Sequence, residues 1–380
     1  MDDVFAIQQD IALNIAETLP IVLDDQKREQ LINSGTRSIE AFIEFQRAYR
    51  VFDQAHLDLQ TMMENLIPAN ELFEATLAVD PELGAAWFLH SDYFSHWLSI
   101  DAVLERDRDP ASESEITAAF QTLMSDLERA VSATSAPEQR RIIDIEHRMF
   151  SDSWQGLGGI VETSAASRTC VTSNWFIGFA PLLSEPIAEF YSRAVLCDPL
   201  NYLNWLKFFA STHWTGDAEA LRSEIARGIE VTGTRTTWTE WYRVQSHLLE
   251  GDFAGARSVP TDFQGEGLVN VPYEVNILAA EGRAEEARAL FSSLYDPTIH
   301  RLDTQLMMAA IVGDREEANR IASSIDGRPV SELALLMTTL FCACGEVFDL
   351  DATPEFKARV SESGLAWPPA TLVSYPAKTW

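Results

Sequence analysis

His90 and His96 stand six residues apart, and a histidine pair of that kind could ligate a metal ion or relay a proton. On a helix, however, this spacing leaves the two rings about 120° apart around the axis, so they do not share an ion. One is read as packed and the other as solvated. The GLGG run at 156–159 lacks both the full dinucleotide-binding spacing and a preceding strand, and reads as a turn between helices. No GxSxG occurs, so no serine has the setting of a nucleophile elbow. The carboxylate pairs Glu285–Glu286 and Glu316–Glu317 follow glycine turns, where they complement the positive end of a helix. These residues assemble no acid–base, nucleophile or metal set. The chain is read as a non-enzyme with no cofactor and no metal site. The aromatics are what remain for chemistry. Trp87, Phe88, Phe94 and Trp97 crowd one stretch, Trp205, Phe208, Phe209 and Trp214 a second, and Trp238, Trp241 and Tyr242 a third.

The elements that position them have helical period. Val4, Ile7, Ile11, Ile15 and Leu19 form an apolar stripe that Pro20 ends. The sequence AVDPELGAAW returns as LCDPLNYLNW, 118 residues on. In each copy the proline stops one helix, because it lacks an amide donor and disfavours helix in the residue before it. The tryptophan six residues later belongs to the next helix. Four tight turns, TGDAEAL, EGDFAGA, EGRAEEA and VGDREEA, place Gly216, Gly251, Gly282 and Gly313 at spacings of 35, 31 and 31. Glycine accepts the left-handed conformation that ends a helix, so each turn marks the middle of a helical hairpin in a unit of about 34 residues.

These residues resemble the tetratricopeptide repeat. Trp87 and Trp205 match its first aromatic, Phe94 the second, and the four glycines its turn. Ala256, Ala287 and Ala318 match its first alanine, Phe73, Tyr191 and Phe291 the later aromatic, Ala194 the second alanine, and Pro81 and Pro199 the proline. Thr76 departs from the pattern, RDRDPASES at 106–114 stretches one unit, and 138–185 is the least regular stretch. The opening VFAIQQDIALNIAETL and its link resemble the segment that joins such repeats to cyclase, TolB-like or winged-helix domains in bacterial signalling proteins. No residue here matches those domains' own motifs.

The resemblance implies an all-α, right-handed α-solenoid. Residues 1–35 form an amphipathic helix and linker, 36–345 the repeat array, and 346–380 a capping helix with a Pro-containing tail. Its register places Phe88, Asp92, His96, His213, Trp214, Trp238, Trp241, Gln245, Asn276, His300 and Asp303 on a concave groove. Aromatics mixed with amides and carboxylates suit recognition of a protein or peptide. The leading expectation is therefore an interaction scaffold in a bacterial regulatory setting. The alternatives are a sensor holding a small molecule in a closed pocket, and an enzyme on a helical scaffold.

The composition narrows the partners. With 28 Lys and Arg against 58 Asp and Glu, the net charge is −30, which repels nucleic acid and anionic membrane and favours a basic partner. Solubility, or life in salt, accounts for the same excess. The four cysteines, Cys170, Cys197, Cys342 and Cys344, read as buried thiols, the last two pointing to different helix faces. The acidic N-terminus is unlike a signal peptide. The expectation is a cytoplasmic protein.

Overall fold

The computed structural model describes residues 38–57, 61–100, 111–151, 153–167, 170–260, 273–294 and 301–380. The expected N-terminal helix, residues 106–110 of the stretched unit and His300 lie outside them. Among the described residues the secondary structure is helical, and the one β feature is an isolated bridge between Cys344 and Thr371. No helix among them is long and apolar enough to cross a membrane.

The first seven helices are α1 (Ile39–Ala55), α2 (Met62–Val79), α3 (Gly84–Trp97), α4 (Glu113–Ala133), α5 (Pro137–Met149), α6 (Leu157–Ala165) and α7 (Ser184–Cys197). Each packs on the next. A 3-10 turn, Phe176–Phe179, precedes α7. There follow α8 (Tyr202–His213), α9 (Ala218–Thr232), α10 (Thr237–Leu249), α11 (Phe253–Ser258), α12 (Tyr273–Ala280), α13 (Ala284–Leu294), α14 (Leu302–Ile311), α15 (Arg315–Ile325), α16 (Ser331–Cys342) and α17 (Pro354–Ser363). GLGG is more than a turn: Gly156 caps α6 in the left-handed region, and the next two glycines belong to the helix.

The two Asp-Pro copies build one junction twice. The Trp87 indole donates to the Pro81 carbonyl at 2.8 Å, and Trp205 repeats the bond to Pro199 at 2.8 Å. An arginine covers each ring, Arg129 at 4.4 Å and Arg227 at 4.9 Å. Here the proline ends the helix and its carbonyl takes the bond that fixes the next one. The Gly-Asp turns have a similar division of labour. Glycine ends the first helix with positive φ. The aspartate then caps the second, as Asp217, Asp252 and Asp314 accept from Ala220, Gly255 and Glu317 amides.

Alternate helices also touch. Helix α8 meets α10, α10 meets α12, α12 meets α14, and α14 meets α16. Helix α16 then meets the 3-10 turn, which itself touches α8, so the run returns on itself. The Trp214 indole at the end of α8 donates to the Leu340 carbonyl of α16 at 3.0 Å, closing the ring directly. One end of the ring is crossed by the C-terminal tail. Leu372 and Val373 amides donate to the Ala343 carbonyl, and the Tyr375 hydroxyl donates to Asn276 Oδ1 at 2.9 Å. At Gly313, with φ 77°, a Cβ would stand 2.2 Å from the Ala377 carbonyl oxygen.

The cysteines differ from expectation. Cys170 pairs with Cys197, and Cys342 with Cys344. The reasoning from helix faces fails for the second pair because α16 ends at Cys342 and Ala343 has φ 50°. Paired cysteines remove the thiol-based ground for a reducing compartment.

Candidate functional site

A cavity of ≈ 170 Å³ is lined by residues of α1, α2 and α3 on one side and of α8, α10, α14 and α16 on the other. Phe52, Trp175, Trp238, Tyr242 and Phe341 supply its aromatic wall. Trp238 and Phe341 stack at 4.8 Å across α10 and α16, so the closed ring itself builds this face. Six acidic or basic side chains share the cavity: His56, Asp92, His96, Lys207, Arg301 and Asp303.

Three of these converge. His56 ends α1, and Asp92 and His96 lie one turn apart on α3. The Asp92 Oδ2 stands 3.2 Å from His56 Nε2 and 3.5 Å from His96 Nε2. The His56 Nδ1 lies 2.8 Å from the Phe52 carbonyl oxygen. A carbonyl only accepts, so Nδ1 carries the hydrogen and Nε2 is turned to the carboxylate. Asp92 is 3 % exposed, and its Oδ2 has no donor in hydrogen-bonding geometry. Burial pushes the His96 imidazole down to about 4, despite the opposing pull of Asp92, so it is neutral at pH 7. Burial alone would raise the Asp92 carboxyl, but His96, His56 and Lys207 together outweigh it and hold the group below its ordinary value.

The cations occupy the same space. Lys207 rises from α8, and its ammonium donates to the Ser173 carbonyl. Burial pushes Lys207 down and Glu146 up, and attraction between them opposes both shifts. Arg301, at the start of α14, donates to the Asp303 carboxylate through Nε and Nη2. Its Nη1 is buried and has no acceptor among the described residues, and the residue is only 8 % exposed.

Of the residues expected on a groove, the cavity brings together Asp92, His96, Trp238 and Asp303. The other described residues are placed elsewhere because the packing of the helices buries them. Phe88, Trp214 and Trp241 are core. His213 is 1 % exposed, and burial pushes its imidazole down to about 3. Gln245 is buried without a hydrogen bond, and Asn276 is taken by Tyr375 of the tail. His90 is buried and His96 is only partly exposed, against the expectation of one in solvent. His90 turns away from His96 and bonds Asp126 at 2.6 Å.

Sequence reasoning missed His56, Lys207 and Arg301. Lys207 had a local signal, a lone cation in the apolar helical run NWLKFFA. His56 had none, since its partners come from a helix two elements on.

No family model, curated protein or solved structure matches the chain.

Proposed function

We propose that the chain binds a small molecule with an apolar body and an acidic head, held inside a closed ring of helical hairpins. The succession of hairpins, with alternate helices in contact, supports a tetratricopeptide-like solenoid whose run is short enough to close. The observation that carries the functional reading is Arg301 Nη1, a buried guanidinium donor without an acceptor on the wall of an aromatic cavity. A buried unpaired donor is costly, and a ligand carboxylate or phosphate removes that cost. The first turns of α8, α10, α14 and α16 reach the cavity through Leu203, Trp238, Asp303 and Leu333, and their dipoles add positive potential there. Stacking on Trp175 and Trp238 serves the apolar body. The reading is one of binding and requires no turnover. The peptide-groove reading has less support, because Phe88, His213, Trp214, Trp241, Gln245 and Asn276 are buried.

The test is a panel of aromatic and medium-chain carboxylic acids, each beside its neutral amide, followed by thermal shift and tryptophan fluorescence. A bound acid is expected to lose about tenfold in affinity as the amide. Ala334→Phe, which fills the cavity from α16, is expected to abolish binding. Affinity for basic peptides alone, or acid binding that survives Ala334→Phe, overturns the reading.

A further inference from the structure

We infer that His56, Asp92 and His96 hold one divalent transition-metal ion, with an open coordination position facing the cavity. The three donor atoms lie within 4.8 Å of one another and form the only such His, Cys, Asp or Glu cluster among the described residues. Metal bonds of about 2.1 Å in tetrahedral geometry put neighbouring donors roughly 3.4 Å apart. The observed separations from Asp92 Oδ2 are 3.2 and 3.5 Å. Those two separations suit one ion, and the third donor pair lies within 4.8 Å.

Two further observations point to an ion. The Phe52 carbonyl fixes the His56 ring with Nδ1–H outward, as outer-shell partners orient metal-ligating imidazoles. His56 Nε2 then faces a carboxylate oxygen 3.2 Å away that is buried and, among the described residues, has no donor in hydrogen-bonding geometry. A cation between the two atoms would bond both. The site is also tied down: α1 and α3 both pack on α2, and the His96 ring meets Trp175 edge-on at 4.6 Å. Two imidazoles and one carboxylate suit zinc or ferrous iron. Three protein ligands leave at least one position for water or a ligand atom, and Lys207 and Arg301 line the same cavity. The inference goes beyond the cavity reading and stands apart from it, since an ion can bind whether or not an organic acid does.

The experiment uses the full chain without a histidine tag, stripped with chelator and titrated with Zn²⁺ and Co²⁺ by calorimetry. One ion per chain is expected, with visible d–d absorption of low-coordinate Co²⁺. Asp92→Asn and His96→Gln are expected to weaken binding by at least about 100-fold, beyond the loss typical of an outer-shell partner. His247→Gln, at an exposed pair with Asp252, is expected to leave it unchanged. X-ray absorption on the wild-type zinc complex, independent of whether the variants fold, is expected to show two imidazole ligands. No stoichiometric uptake overturns the inference. Weak uptake insensitive to the variants, or a zinc shell without imidazole, overturns the inference as well. Loss of acid binding with metal uptake intact would instead sink only the cavity reading.

Discussion

Glu332 shows what burial among packed helices does to a single charged group. It sits in the first turn of α16, 1 % exposed, with Arg359 Nη1 at 3.2 Å and Ser331 beside it. Burial pushes its carboxyl from 4.5 up to about 7; Arg359 opposes the shift and Asp326 adds to it. The folded state therefore keeps a proton that the unfolded chain releases. Between pH 4.5 and 7 this group lowers stability as pH rises, by at most about 1.4 kcal/mol per unit, and above 7 the loss is constant. Glu332→Gln is expected to flatten that part of a urea-midpoint profile; a variant profile parallel to the wild type counts against it. Little of this was legible in the sequence. Glu332 reads there as an ordinary helix-start acid like Glu316, and only the packing of α17 and the ring makes it different.

Single elements were more legible, because their signals are local. Proline stops, glycine turns and aspartate caps act within a few residues of chain, so α2, α7, α9 and α15 end or begin where those residues stand. The purpose of the repeated tryptophan was half legible: its place in the next helix was clear, while its bond to the proline carbonyl was not. Gly313 combines a local demand with a distant one, since its positive φ suits a turn and its missing Cβ makes room for Ala377. Gly313→Ala is expected to cost about 1–3 kcal/mol. The same change at Gly251, where the φ is similar and no neighbour lies within 4 Å, should cost less. Equal losses in chemical denaturation would show that the tail does not press on the turn.

At the scale of the whole molecule, the register separated core from cavity poorly. It assumes an open concave surface, and the contact of α16 with the 3-10 turn removes that surface. Trp241 and Gln245 lie on α10 and are fully buried. The tail has a matching role at the opposite end. Deleting residues 371–380 removes the bonds to Ala343 and Asn276 and exposes the partners of Val373 and Tyr375. The expected loss is at least about 3 kcal/mol, read as a lower urea midpoint. An unchanged midpoint would mean that the tail merely lies on the surface.

The return of α16 to the 3-10 turn bears on how such a chain can change over evolutionary time. An open row of hairpins gains or loses a unit at modest expense, since each unit touches only its neighbours. Here the first and last members grip each other, so inserting or deleting one hairpin would have to break that grip and redraw the chamber within. The length of the run is thereby tied to the size of what it encloses.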